Sequence, residues 1–130
     1  MGHEYTHRLD GIPGLQLPYE EFWAKSVYWM YGVVLSEDTG MDAVGFALRL
    51  KERGIETRPF FLGMHEQPVF REQGLFLNEY YPVSEWIARQ GLYLPSGLSL
   101  TEGQLTKVCD AVQLRHTQGC LHIGQAKIKS

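Results

Sequence analysis

Residues 26–35 read SVYWMYGVVL, and this stretch decides the fold because it alternates as an extended strand does. One face of such a strand carries Val27, Trp29, Tyr31, Val33 and Leu35. The opposite face is also apolar, with Tyr28, Met30 and Val34. Strands that are apolar on both faces are covered on both sides. The segment is therefore predicted to be a strand covered by helices on both faces, or by its own helices on one face and by a partner on the other.

Four helices are predicted on either side of this strand from capping residues and apolar periodicity. Residues 3–10 form the end of a helix, since Gly11 and Pro13 follow at once. The others are a helix capped by Asp42, a short helix opened by Pro82, and a last helix that starts with the capping box Thr101-x-x-Gln104. The last helix is expected to bury an apolar stripe formed by Leu105, Val108, Cys109 and Val112.

Two further strands are predicted, over residues 55–62 and 92–95. The first contains Pro59, which has no N–H for a β-ladder, so this strand is expected at a sheet edge. These elements indicate an α/β (α+β) fold with a short, largely antiparallel three-stranded sheet packed with helices. The domain is predicted to span residues 1–114, and residues 115–130 are predicted to be a polar tail of unknown role.

The composition excludes several classes of protein. With 12 Lys and Arg against 15 Asp and Glu, the net charge is −3, and no basic patch for nucleic acid emerges. The longest apolar run, residues 27–35, is too short to span a bilayer, and the N-terminus lacks the layout of a signal peptide. The two cysteines, Cys109 and Cys120, are not expected to form a disulfide framework. A cytoplasmic protein without nucleic-acid or membrane partners is predicted.

Two groups of residues have the composition of metal sites. His3-Glu4-Tyr5-Thr6-His7 matches H-E-x-x-H, the helical zinc motif in which the glutamate is the general base. A zinc hydrolase is therefore one remote reading, although so short a motif also occurs by chance. Three further candidate ligands lie near the C-terminus, but structural zinc sites usually need four in paired spacing; they are His116, Cys120 and His122. Solvated side chains are the simpler interpretation of these three, and no metal site is predicted.

The richest set of functional side chains lies between residues 57 and 68. Arg58, His65 and Gln67 occur there beside the aromatic pair Phe60-Phe61, at the end of a predicted strand. Loops at strand ends often carry binding sites, and this set suits a phosphate or a sugar. An ordinary surface loop with a paired arginine fits the same residues. The residues alone leave both interpretations open.

An ordered set of motifs resembles one known family. The set consists of Tyr5-x-x-x-Leu9, the segment 11–18 (GIPGLQLP), the segment 27–31 (VYWMY), the segment 54–61 (GIETRPFF), His65-x-Gln67-Pro68, the segment 92–97 (LYLPSG) and the final helix. These motifs cover roughly residues 4–114, in order and with few gaps. The chain thereby resembles the C-terminal small domain of the DegT/DnrJ/EryC1/StrS nucleotide-sugar aminotransferases, most closely their perosamine synthase type.

The resemblance implies a fold, a chemistry and an assembly. Members of that family are dimeric enzymes of the aspartate-aminotransferase fold, and they transfer an amino group, usually from glutamate, to a keto sugar linked to a nucleotide. They use pyridoxal phosphate, whose Schiff-base lysine belongs to a large domain that precedes the small one. The lysines of this chain match no such position: Lys25, Lys51, Lys107, Lys127 and Lys129. The resemblance therefore implies a truncated or stand-alone small domain that has no catalytic residue, binds no cofactor alone and is inactive alone.

The resemblance also assigns part of a substrate site to this chain. Phe61 and His65 align with the aromatic-to-histidine segment that faces the nucleotide sugar, and Arg58 and Gln67 lie beside them. The sequence departs from the family pattern at residues 62–64, where a glycine adds backbone freedom. The H-E-x-x-H match becomes the end of the helix that joins the two domains.

Partners follow from the same resemblance. The small domain of the family faces a large domain and a partner subunit, so an isolated domain is expected to expose an apolar face around Trp23, Tyr28 and Trp29. Exposed patches of this kind drive self-association. A non-catalytic binding or oligomerisation module is therefore the alternative function, and a pyridoxal phosphate domain and a nucleotide sugar are the other expected partners.

Overall fold

One antiparallel sheet of four short strands organises the part of the chain that the structure describes. The computed structural model describes residues 1–124, with side chains as far as residue 113. The strands are β1 Leu15–Gln16, β2 Tyr31–Leu35, β3 Arg58–Pro59 and β4 Gly91–Leu94. Their order across the sheet is β1-β2-β4-β3, and every neighbouring pair is antiparallel. The α/β (α+β) class with a small antiparallel sheet is therefore confirmed.

The predicted number of three strands is corrected to four by β1. Leu15 pairs with Leu35 at the end of β2, and the Ser36 N–H donates to the Gly14 carbonyl at 2.9 Å. A strand of two residues is too short to show an alternating pattern, because alternation is seen only over several residues. Its pairing with β2 is what identifies it.

The decisive strand is shorter than predicted. Only Tyr31–Leu35 forms β2, whereas Val27 and Trp29 are 90% and 77% exposed. Tyr28 has φ +46°, a conformation in which the chain turns instead of continuing a strand. The neighbouring strand ends at Leu94, the partner of Tyr31, because a proline follows it, and the Tyr31 N–H donates to Ser96 Oγ at 2.9 Å. The alternation of residues 26–30 is thus not a strand.

The second predicted strand, over residues 55–62, is also shorter. Only Arg58–Pro59 pairs with β4, and the Phe60 N–H extends the ladder with one bond to the Gly91 carbonyl at 3.2 Å. β3 is the last strand in the order, so the edge position predicted from Pro59 is confirmed.

The helices agree closely with the predictions from capping. Asp42 caps the second helix, since its Oδ1 accepts from the Gly45 N–H at 2.8 Å. In the capping box, Gln104 Oε1 accepts from the Thr101 N–H at 2.9 Å. The helices are α1 Gly2–Leu9, α2 Ala43–Lys51, α3 Pro68–Glu72, α4 Pro82–Gln90 and α5 Glu102–Gly124, with short 3₁₀ turns at Glu37–Thr39 and Met64–Glu66. Within residues 1–124, none of them combines the length and apolar character that a membrane span needs.

The core lies on one face of the sheet. The inward residues of β2 and β4 are all less than 3% exposed, and they pack with buried side chains of α1, α2 and α5. Tyr5 of α1 joins this core and donates from its hydroxyl to the Pro95 carbonyl at 2.9 Å. The opposite, outer face carries Gly32, Tyr93 and Arg58, which lie side by side in the register. The candidate site is built on this outer face.

Candidate functional site

The outer face of the sheet holds an aromatic stack that two glycines make possible. The Phe60 ring stacks on the Tyr93 ring, with 4.4 Å between ring centroids. A Cβ on Gly32 would lie 2.6 Å from Cζ of Phe60, and a Cβ on Gly91 would lie 2.4 Å from its Cδ2. No side chain larger than hydrogen fits at either position while Phe60 lies there. The two glycines thus allow the ring of Phe60, the residue directly after β3, to pack over β2 and β4.

Two of the residues predicted for the substrate site meet around Tyr93. Arg58 is directly opposite Tyr93 in the ladder, and the Phe61 ring lies 5.8 Å from the Tyr93 ring. Phe61 is 69% exposed, although a large apolar side chain gains from burial. Arg58 is also exposed, and its guanidinium has no hydrogen bond or ion pair with any described residue. An unpaired cation and an aromatic face are therefore available side by side.

Arg58 also lines a cleft of about 550 Å³ that lies beside β3 and the end of β4 and reaches the start of α5. The cleft is also lined by Trp29, Glu56 and Tyr93 and by the segment 95–97 that follows β4. Guanidinium groups bind phosphate and carboxylate in a bidentate way, and flat rings stack on planar ligands. The cleft is suited to a ligand that combines an anionic group with a planar or sugar-like one.

His65 is placed differently from Phe61, because it is turned inward and is only 8% exposed. Its Nε2 lies 3.1 Å from Oε1 of Glu85 in α4, and its ring lies 4.8 Å from the Tyr81 ring. On the other side, a Cβ on Gly63 would come within 2.6 Å of its Cε1. Gly63, a departure from the family pattern in the sequence, therefore makes room for the imidazole.

Gln67 also faces its own loop. Its side-chain amide donates to the Leu62 carbonyl at 3.0 Å, which closes the segment between the two residues. The four predicted residues thus fall into two pairs. Arg58 and Phe61 present free groups at the outer face, whereas His65 and Gln67 hold the loop that follows Phe61.

Several residues of this region were not predicted from the sequence. Glu66 forms an ion pair with Arg89 of α4, and this hydrogen bond is the main reason that the pKa of Glu66 lies below its usual range. Glu85 is the hydrogen-bond partner of His65, and Tyr93 contacts the Phe61 ring. These partners are distant in sequence from the loop, and no local motif points from one to the other.

The metal motifs receive little support from the geometry. Glu4 of the H-E-x-x-H match is paired with Arg8, and His3 packs edge-on against Tyr28. Among the described residues, no three His, Cys, Asp or Glu side chains are grouped to hold a metal ion. The side chains of the other candidate cluster lie outside the described residues: His116, Cys120 and His122.

The described lysines do not lie in the candidate cleft, although Lys51 lines a separate cavity of about 600 Å³ beside α2. A pyridoxal phosphate site needs an amine in a cleft, together with groups for the phosphate and the pyridine nitrogen. Lys25, Lys51 and Lys107 are exposed, and none of them lines the cleft beside Arg58. Lys127 and Lys129 lie outside the described residues. No chemical step through this cofactor is derived for the chain.

Comparisons with known proteins identify the family. Residues 1–113 match the DegT/DnrJ/EryC1/StrS aminotransferase family. The chain is 27% identical over 109 residues to GDP-perosamine synthase of Vibrio cholerae. The aligned region covers 84% of this chain and 29% of that protein. It is 30% identical over 116 residues to the putative pyridoxal phosphate-dependent aminotransferase EpsN of Bacillus subtilis, covering 87% of this chain and 29% of that protein.

The similarity extends to a solved structure. The S. venezuelae protein DesV, solved in complex with a ketimine intermediate, superimposes with a TM-score of 0.77 at 29% identity, over 88% of this chain and 30% of that one. The chain thus spans less than a third of the length of the relatives it matches. The match of 113 consecutive residues shows that this chain belongs to the DegT/DnrJ/EryC1/StrS aminotransferase family.

Proposed function

We propose that this chain acts as the C-terminal small domain of a nucleotide-sugar aminotransferase and supplies part of the nucleotide-sugar side of the cleft. Family membership and the similarity to GDP-perosamine synthases support the reaction class. Arg58, Phe61, His65 and Gln67 are its substrate-site residues. The exposed positions of the described lysines support the view that the chain needs a separate pyridoxal phosphate domain and does not catalyse transamination alone.

The observation that carries this proposal is that Arg58, which has no side-chain partner within residues 1–113, and the exposed ring of Phe61 both lie beside Tyr93. Arg58 has no partner among the described residues, and Phe61 keeps most of its ring in contact with solvent. A diphosphate supplies the anion that a guanidinium binds, and a base or sugar ring supplies a flat surface for the aromatic rings. Arg49 and Arg71 also lack an ion pair in the described part of the chain, so it is the position of Arg58 opposite Tyr93 and in the cleft that supports the assignment.

Nucleotide-sugar binding is tested by titrating the 130-residue chain with GDP-mannose and following amide NMR shifts. Shifts are expected in β3, in β4 and in the loop after Phe61. Arg58→Ala is expected to weaken binding by about tenfold or more, since hydrogen bonds to charged groups contribute about 1.5–3 kcal/mol. Arg49→Ala in α2, whose side chain does not line the cleft, is the control. Unchanged affinity of Arg58→Ala, or shifts confined to another face, would reject the assignment.

Dependence on a separate cofactor domain is tested with pyridoxal phosphate alone. We expect no aldimine absorbance band that disappears when a single lysine is replaced. A band that is lost on changing one lysine would overturn this part of the proposal, because the chain would then hold its own Schiff base.

Self-association is the second candidate function, and the segment before β2 favours it. Trp23 and Trp29 are 73% and 77% exposed, whereas Tyr28 is half-buried and packs toward His3 and Tyr31. The exposed apolar face therefore contains the two tryptophans without Tyr28. The double substitution of Trp23→Ser and Trp29→Ser is expected to abolish any dimer seen by sedimentation velocity. A strict monomer of the unsubstituted chain at high concentration would count against this candidate.

A further inference from the structure

The loop of residues 61–67 carries three of the four proposed substrate-site residues but is weakly attached to the sheet. Phe61, Leu62 and Met64 are 69%, 45% and 61% exposed. Within the described part of the chain, backbone hydrogen bonds of this loop run only to itself and to the start of α3, as in Glu66 N–H to the Gly63 carbonyl. Side-chain contacts must therefore decide where the loop lies.

Glu85 supplies the most buried of these contacts. Its Oε1 lies 3.1 Å from Nε2 of His65 and accepts from the Tyr81 N–H at 3.1 Å. A carboxylate only accepts hydrogen bonds, so the proton of the imidazole must be on Nε2. The other side of the ring, with Cε1 and Nδ1, lies against Gly63.

The second contact between the loop and α4 is weaker. Glu66 has a side chain only 13% exposed, but its partner Arg89 is 58% exposed, so water screens the arginine end of this pair. Glu66 Oε2 also lies 4.0 Å from Nε2 of His65, beyond hydrogen-bond distance. Glu85 and His65 have side chains only 22% and 8% exposed. Loss of one partner there would leave a buried polar group unsatisfied, which costs more than the loss of a surface pair.

Helix α4 is also continuous with the strand that carries Tyr93. The helix ends at Gln90, and β4 begins with the next residue. Phe61 contacts Tyr93 at one end of the loop, and His65 contacts Glu85 at the other. Two elements that follow one another without a connecting loop, α4 and β4, thus contact both Phe61 and His65.

We propose that Glu85 is a positioning residue: its hydrogen bond to His65 places the 61–67 loop, and with it Phe61 against Tyr93, which lines the cleft beside Arg58. What the loop binds rests on the proposed function above. Glu85 acts through hydrogen bonding, so an amide at this position is able to replace the carboxylate. A glutamine Oε1 accepts from the same two N–H groups without a negative charge.

The experiment compares Glu85→Ala, Glu85→Gln and the control Glu72→Ala, in which an exposed glutamate at the end of α3 is removed. Amide hydrogen exchange of Glu66 and Gln67 reports on the loop, and exchange in β2 reports on the core. Glu85→Ala is expected to accelerate loop exchange by about tenfold or more and to weaken GDP-mannose binding by a similar factor, with β2 unchanged. Glu85→Gln and Glu72→Ala are expected to behave as the unsubstituted chain.

Three results would overturn the inference. They are unchanged loop exchange in Glu85→Ala, equal acceleration in the loop and in β2, or a Glu85→Gln variant that behaves like Glu85→Ala. If the unsubstituted chain fails to bind GDP-mannose, the proposed ligand is wrong. The exchange measurements would still decide whether Glu85 places the loop, so the two failures are distinguishable.

Discussion

The ring of Phe60 lies stacked on the ring of Tyr93, with centroids 4.4 Å apart and an interplanar angle of 29°. This stack joins the short edge strand β3 to β4, although the two strands pair at only two positions. It also sets the direction in which the chain continues toward Phe61. The packing of one aromatic residue thus connects the sheet to the candidate site.

Gly91→Ala is expected to disrupt this stack. The new Cβ would lie 2.4 Å from Phe60 Cδ2 and 2.6 Å from the Ile87 carbonyl, and the backbone cannot move away as a flexible side chain does. Overpacking of this kind costs about 1–3 kcal/mol of unfolding free energy, measured by urea denaturation. Gly103→Ala in α5 meets nothing within 4 Å and should be neutral or stabilising. Equal stability of the two variants would show that Phe60 moves without cost.

Asp42→Ala is expected to destabilise the protein by about 1 kcal/mol, because it leaves the Gly45 N–H of α2 without its side-chain acceptor. Thermal or urea unfolding measures the effect. The control is Asp38→Ala, in the 3₁₀ turn that precedes α2, where the aspartate makes no such cap. An Asp42→Ala variant as stable as Asp38→Ala would contradict the role of the cap.

Acid is expected to weaken the contact between the loop and α4. The Arg89 guanidinium holds the pKa of Glu66 below its usual 4.5 in the folded chain. A carboxyl with a lowered folded pKa stabilises the protein above its unfolded pKa, and this contribution is lost as the pH falls through the folded value. The urea midpoint should therefore fall below pH 4.5, and less steeply in Arg89→Gln than in the control Arg49→Gln, whose arginine is not among the groups that lower this pKa. Parallel curves would exclude the Glu66–Arg89 pair as a cause.

Alkali is expected to destabilise the fold through the core of α5. Burial raises the pKa of Cys109 from 9.0 to about 11. Between these values the unfolded chain loses the thiol proton while the folded chain keeps it, so stability falls as the pH rises. Burial raises the pKa of Tyr5 and Tyr31 as well, which adds to the loss at higher pH. Cys109→Ala should be less stable at neutral pH but lose less stability from pH 9 to 11, as followed by urea unfolding at each pH.

Local signals in the sequence predicted helix ends and the sheet edge well. Asp42, the capping box at Thr101 and the edge position of Pro59 act through hydrogen bonds of neighbouring residues, so a short window contains both partners. The strand predicted over residues 26–35 was too long, because alternation shows which faces are apolar and does not show whether a partner strand is present. For the same reason the two-residue strand at Leu15 escaped the strand count.

In the candidate site, the residues were predicted from the sequence but their arrangement was not. The sequence alone singled out Arg58, Phe61, His65 and Gln67, and the resemblance of its ordered motifs identified the family. The sequence could not show that Arg58 and Phe61 are exposed while His65 is turned inward. The position of His65 depends on Glu85, which is twenty residues away along the chain.

The sequence by itself determined the fold class and the helix starts, since capping and apolar periodicity involve residues close together in the chain. The order of its motifs along residues 4–114 indicated the family. The tertiary structure alone decided that Gly32 and Gly91 make room for Phe60, and that Glu85 holds His65. These relations depend on which strands and helices pack together, and packing brings into contact residues whose spacing in sequence carries no signal.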